Sequence, residues 1–558
     1  MNIYTDVDKA IIYTKEKKYS KAEEIYKNIL KIEPNNSVIL SMLGLLYLES
    51  GALKKAEKTL MKSYSLKESV PTIEGLAIIK SHLKRKDSVN YFKKVIDRTK
   101  NFEIFNKYIN YLLDERKYRQ ACEYAEKSIK LFPMKKEAYT LLVECYINTG
   151  RLMEAFNHSV KITSIYPKYS DGWLWLGLCY EILFHDDIKA EECFQKVLTL
   201  GNKSKAYLNL AINAYKQDNP DKSIFYTNKL RKLKNNKYNT DFSLAVAYMK
   251  KRNFKKGLKY YSRYIHVDAI TKSKSKISRL RNYWDGKTYK NDTLFIWGDQ
   301  GIGDLIMFSR YIPYVSKKFK KVKVLVRAKI VDLFKTTFKE YKNVSFYTKK
   351  IPSYDKCAIM SCLADYLNMD YSSIPAASGY FKVNKKYIEK YKRIIDSKKL
   401  KVGICWEAGA SGWREQLNRT LHVSFFESII NADNVQCYSL QVNPTLDSYK
   451  DYKNLIDLGK DFKSFSDTAG ALKNLDLLIT VDTSVAHLAG ALGVKTFMLL
   501  PYCPDWRWFN DDKTTNWYKS ITIFKQKNPK SWEELFKNIE DELKIFTKQY
   551  LKSTDNCI

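Results

Sequence analysis

The sequence predicts a multidomain chain: an all-α solenoid of repeated helical hairpins, then an α/β region of two doubly wound, Rossmann-like domains. Three observations predict it. Small residues recur at a spacing near 34 through the first half, strand-like apolar runs alternate with helical patterns through the second, and one segment near the C-terminus reads as a complete β-α-β unit. At 558 residues the chain is also too long for a single core.

The repeat comes first in the chain. Ala22, Ala56, Ala121, Ala155, Ala190, Ser223 and Gly257 are separated by 34, 65, 34, 35, 33 and 34 positions, and 65 is close to two units. Gly44, Gly177, Ala211 and Ala245 precede their partners by 12 or 13 positions, and Pro34, Pro133 and Pro167 follow theirs by 12. Small residues where two helices touch, with proline closing the second helix, resemble the tetratricopeptide repeat (TPR). About eight units fit between Ala10 and His266, the third, around Gly75 to Asp97, being degenerate. A single hairpin cannot bury its own face, so the units stack. Such solenoids usually bind a peptide or protein, and they also serve as dimer interfaces or spacers. The array is expected over residues 1–270, with a polar, basic linker over 271–291.

After the linker, nine apolar runs read as strands, four between 293 and 360 and five between 402 and 524. Helical patterns lie between them, and that alternation requires parallel sheets covered on both faces. The two sets predict domains at 292–397 and 398–558, with a cleft at the carboxyl ends of their strands.

Bulk composition removes several function classes. No apolar run approaches the roughly 20 residues of a membrane helix, and the N-terminus has no secretory apolar region. A cytoplasmic protein without a transmembrane segment is expected. Ten scattered cysteines form no C-x-x-C pair, and the six histidines are not paired at metal spacing. No metal or cofactor is expected. The net charge of +36, with lysine in both halves and abundant Asn and Tyr, suits a coding bias and a solvated basic surface. Attraction to an anionic partner is the alternative. No nucleic-acid reader pattern is present.

Three loops at predicted strand ends carry candidate chemistry. Gly298-Asp-Gln-Gly301-Ile-Gly303-Asp304 follows a strand and opens a helix, so Gly301 and Gly303 permit a tight turn and Asp304 lands at the helix start, either as a cap or facing the cleft. Cys405-Trp406-Glu407 through Asn418-Arg419-Thr420 places Arg419 just before a helix, which suits a diphosphate clamp. Asp482-Thr483-Ser484 ends a buried strand and begins a small-residue helix, a natural seat for phosphate with Thr483 and Ser484 as caps. The following Asp505-Trp506-Arg507-Trp508 offers tryptophans that stack on a base or sugar, or belong to the core.

These blocks, with Tyr438-Ser-Leu-Gln441 and Ser466-Asp-Thr-Ala469 between them, occur in an order similar to that of bacterial TPR glycosyltransferases related to lipopolysaccharide heptosyltransferases. The resemblance covers about Trp284 to Leu543. It implies a glycosyltransferase-B fold, inverting and metal-independent transfer, and a nucleotide-sugar donor in the C-terminal half. By position it implies Asp304 as catalytic base, and Trp406, Arg419, Thr420, Gln441, Asp482, Thr483, Ser484 and His487 at the donor. Asp299 and Glu407 depart from the family pattern, as does the stretch from Gly409 to Gln416. The expected acceptor is a protein hydroxyl recruited by the repeats, flagellin among the relatives. A lipid-linked or polysaccharide acceptor, or a non-catalytic TPR scaffold, is the alternative. Removal of residues 1–266 is expected to abolish modification of a recruited protein and, because all this chemistry follows Trp284, to spare slow donor hydrolysis.

Overall fold

The structure is a computed structural model and describes residues 3–233, 239–272, 280–298, 301–375, 377–409, 419–444, 447–508, 513–529 and 532–555. The chain forms two compact units, Met1–Asn202 and Lys203–Ile558.

The first unit contains six helical hairpins: Ile3–Lys15 with Tyr19–Ile32, Ser37–Glu49 with Leu53–Leu66, Val70–His82 with Ser88–Arg98, Phe102–Asp114 with Tyr118–Leu131, Lys136–Asn148 with Leu152–Ile165, and Ser170–Cys179 with Asp187–Thr199. Two further hairpins, Lys203–Lys216 with Pro220–Arg231 and Asp241–Lys250 with Phe254–Lys272, open the second unit. The periodic small residues sit where helices press together. A Cβ on Gly44 would lie 2.5 Å from Leu60, and one on Gly177 would lie 2.6 Å from Phe194. The degenerate third unit keeps the rule with Ser88, which is fully buried at the position of the missing alanine.

A second period lies in the backbone, where the sequence hides it. Lys17, Gly51, Lys84, Arg116, Gly150, His185, Asp218 and Arg252 all have positive φ, between 51° and 79°. Each lies in the turn inside one hairpin. Only two are glycine, although an L-residue there costs roughly 1–2 kcal/mol against the right-handed form. Arg116→Gly is therefore expected to raise stability by about 0.5–1 kcal/mol, the strain relieved exceeding the entropy that glycine loses. Gly150→Ala should lower it by about 1 kcal/mol. Denaturant titration of each variant reads both signs.

The second unit carries two sheets that are parallel throughout. The strands are β1 (Tyr289–Trp297), β2 (Phe319–Leu325), β3 (Val344–Tyr347), β4 (Lys356–Ile359), β5 (Leu400–Cys405), β6 (Val435–Ser439), β7 (Leu455–Asp457), β8 (Leu477–Val481), β9 (Thr496–Leu500) and β10 (Ile521–Lys525). Their orders are β3-β2-β1-β4 and β10-β9-β8-β5-β6-β7. The second is the doubly wound order 3-2-1-4-5-6, and its reversal between β5 and β8 creates a crevice at the carboxyl ends of those two strands. β7 escapes sequence reading because it has three residues and exposes Ile456. The two sheets are tied together where Tyr380 and Phe381 both donate backbone N–H to Ala491 O, at 2.7 and 2.9 Å. Lys390 adds an ion pair to Asp467 at 2.7 Å.

The last two hairpins do not stand apart from these sheets. Met249, Phe254, Leu258, Tyr261 and Ile265 lie in one apolar cluster with Trp284, Trp506 and Trp517. Phe254 meets Trp517 edge-on at 5.7 Å, and Tyr261 meets Trp506 at 5.7 Å. The Lys250 side chain is 3% exposed, pairs with Asp218 at 3.0 Å and donates to Tyr215 O and to Cys503 Sγ. Removal of residues 1–266 would strip part of this shared core, which stands against the expectation that the deletion spares donor hydrolysis. The 34-residue period continues unbroken to Gly257, and a period does not report which hairpins face solvent. The end of the expected linker is also packed: Trp284 is 2% exposed and donates its backbone N–H to Cys357 O in β4.

Candidate functional site

The loop after β1 leads into the helix Ile302–Ser309, whose N-cap is Gly301. Gly303 is required by packing: a Cβ there would lie 2.7 Å from His487 Cδ2, so this glycine lets the helix meet the helix Ser484–Leu492 of the other sheet. Asp304, in the first turn, makes no cap. Its Oδ1 accepts from Arg507 Nε at 3.1 Å and Arg507 Nη2 at 2.5 Å, and its side chain is 18% exposed. Asp299 lies outside the described residues.

After β5, Trp406 is buried in the core of the second sheet, 5.8 Å from the Tyr449 ring, and its carbonyl accepts Leu421 N–H. Gln441 is a clamp between strand ends. Its Oε1 accepts Glu407 N–H at 3.0 Å and its Nε2 donates to Glu407 O at 3.2 Å, which joins the ends of β5 and β6. Residues 410–418, including most of the atypical stretch and Asn418, lie outside the described residues. Arg419 follows and places Nη1 3.6 Å from Asp482 Oδ2. Thr420 Oγ1 is buried without a hydrogen-bond partner among the described residues.

After β8, Asp482 is 6% exposed. Burial pushes its carboxyl up, against the pull of Arg419 and Arg507 and with the push of Asp505. Thr483 occupies the N-cap of Ser484–Leu492 with extended backbone, but its side chain caps nothing. The first N–H groups of that helix therefore keep their capacity for an anion. His487 is buried, and burial drives its imidazole well below the usual range, reinforced by Arg507, Arg310 and Arg419. It is neutral at pH 7, with Nδ1 3.1 Å from Tyr518 OH and its ring stacked on Trp508 at 5.0 Å.

Two further arginines at the candidate site escaped the residue-by-residue reading. Arg507 bridges Asp304 and Asp505, with Nη1 2.6 Å from Asp505 Oδ1. Burial opposes its charge, but the two carboxylates outweigh burial and hold it protonated. Arg310 is 1% exposed, donates to Met307 O at 2.8 Å and Trp517 O at 2.9 Å, and lies over the Tyr380 and Tyr518 rings. Arg507 stood inside the Asp505–Trp508 block, where an arginine flanked by tryptophans was the available signal. The tryptophans themselves are core. Trp506 is 2% exposed against Tyr261 and Trp508 is fully buried on His487, which leaves neither ring for a base or sugar.

Residues 13–62 match the tetratricopeptide repeat family. The N-terminal helices are tetratricopeptide repeats. Curated relatives include the Drosophila melanogaster BBSome complex member BBS4 homolog, 26% identical over 185 residues, which is 32% of this chain and 37% of that protein. Protein FlbA of Caulobacter vibrioides is 21% identical over 291 residues, 47% of this chain and 48% of FlbA. The chain thus spans less than half the length of either relative. Similar solved structures include a tetratricopeptide repeat protein from Parabacteroides merdae, 15% identical with a TM-score of 0.38, covering 44% of this chain and 98% of that one. Yeast Tom70 is 14% identical with a TM-score of 0.36, covering 47% and 56%. No helix among the described residues is long and apolar enough to cross a membrane.

The state of His487 carries a pH signature. Its folded pKa lies below the unfolded value of about 6.5, so the unfolded chain binds the extra proton between the two. The stability it contributes is complete above about pH 6.5 and is lost as pH falls below it. His487→Gln should therefore have a melting temperature that falls less than that of the parent between pH 7.5 and pH 5.5. Parallel curves would mean that His487 is protonated in the fold.

Proposed function

We propose that the α/β region is a glycosyltransferase of the glycosyltransferase-B type, moving a sugar from a nucleotide-sugar to an acceptor hydroxyl. The acceptor is a protein, flagellin-like in kind, brought by the repeats. One observation carries this reading. Asp304 from the first sheet is paired with Arg507 from the second, and the Arg419–Asp482 pair lies at the uncapped helix beside it, at the crevice where β5 and β8 diverge.

In this reading both arginine contacts fall on Asp304 Oδ1, and Oδ2 takes the acceptor's proton as its oxygen attacks the anomeric carbon. The bond to the donor phosphate breaks on the opposite face, giving inversion. Charge on the departing nucleotide is met by Arg419, Arg507 and the start of the helix Ser484–Leu492. These fixed cations do the work for which other transferases recruit a metal.

Thermal-shift measurements with UDP, ADP, GDP and CMP sugars test the reading, since a ligand stabilises the fold according to its affinity. One donor class should raise the melting temperature, and turnover should survive EDTA. Arg419→Ala should weaken binding of the matching nucleotide by roughly 1.5–3 kcal/mol, as expected for a hydrogen bond to a charged group. No shift with any donor, together with no transfer, would leave a tetratricopeptide scaffold as the better reading.

A further inference from the structure

The positive charge is not spread evenly. Residues 203–397 hold 43 Lys and Arg against 15 Asp and Glu, a net +28, whereas residues 398–558 hold 21 against 20, a net +1. Residues 1–202 contribute the remaining +7. A coding bias toward lysine acts on the whole gene, and the donor half is encoded by the same gene. Coding bias therefore does not account for the contrast. The excess belongs to the last two hairpins, the segment that follows them and the first sheet.

Topology places part of that excess beside Asp304. β1, β2 and β3 are parallel neighbours, so the loops that follow them share one edge. The helix that follows β1 carries Asp304 in its first turn, the segment that follows β2 carries Arg327 and Lys329, and the one that follows β3 carries Lys349 and Lys350. All four cations are exposed. At a strand spacing of about 5 Å, they stand about 5 and 10 Å along the edge from the β1 loop. Neither 326–330 nor 348–353 contains an acidic residue.

We propose that this edge, continued by the basic surface of the last two hairpins, docks an acidic polypeptide segment and leads it to Asp304. The proposal rests on reading the first sheet as the acceptor side. The occupant is a polypeptide because the excess runs through helical hairpins of a protein-binding repeat and far exceeds what one phosphate group needs. Charge of this kind raises the rate and the salt sensitivity of encounter with a polyanion.

Fluorescence anisotropy with a labelled poly-glutamate peptide tests docking without any catalytic readout, so its failure is distinct from failure of the transferase reading. The full chain should bind the peptide, and more weakly as sodium chloride rises. Neutralising the edge by R327Q/K329Q/K349Q/K350Q should weaken binding about tenfold or more. Neutralising four exposed lysines at the opposite, amino end of the same sheet by K317Q/K320Q/K321Q/K342Q should change it by less than about threefold. Equal losses in the two variants, or no binding by the parent, would overturn the proposal. Tighter binding of oligothymidylate of the same length, lost in the edge variant, would overturn it in favour of nucleic acid.

Discussion

Deletion of residues 1–266 is expected to give aggregated protein, and deletion of residues 1–202 a folded one. The first cut removes Met249, Phe254, Leu258, Tyr261 and Ile265 from the cluster that buries Trp284, Trp506 and Trp517. Loss of one large apolar side chain from a core typically costs 2–5 kcal/mol, and a domain has only about 5–15 kcal/mol in total. The cut also strips Lys250 and Tyr215 from Cys503, in the loop that leads to Arg507. The second cut falls at the boundary between compact units and leaves that cluster whole. Gel filtration and near-ultraviolet circular dichroism of the two truncations decide the matter. A soluble, monomeric product of the longer deletion with native aromatic dichroism would show that the last hairpins are dispensable.

Under the proposed transferase reading, Asp304→Asn should lower turnover by about 10²-fold or more while donor binding stays nearly intact. The amide takes up no proton, and it is close in size to the carboxylate. Arg507 keeps its other carboxylate, Asp505, in the variant, so the guanidinium is not left buried without a partner. Single-turnover kinetics with saturating donor separate the chemical step from binding. Full activity in Asp304→Asn would assign Asp304 to holding Arg507 alone.

The repeat architecture was legible because helix contacts demand small side chains, and Ala22, Ala56, Ala121 and Ala155 repeat that demand at one spacing. The strand positions were legible because buried parallel strands are continuous apolar runs. Their boundaries were less so. The segment that Asp304 opens is not one helix but two, Ile302–Ser309 and Ile312–Ser316. The grouping of the candidate residues was legible in part: Asp304, Arg419, Asp482 and His487 were all singled out, and the structure brings Arg419 to Asp482 and His487 against Gly303. Gln441 and Trp406 were singled out too, and they lie in the packing at the ends of β5 and β6.

By itself, then, the sequence determined the number of hairpins, the two α/β halves and the strand ends that bear polar residues, because periodicity and apolar patterning are local properties. Only the tertiary structure decided that Arg507 reaches Asp304 across 203 positions, that Trp506 and Trp508 are core, and that the last two hairpins belong with the sheets. Pairing of charges and sharing of a core depend on which surfaces meet in space, and that information is not periodic along the chain.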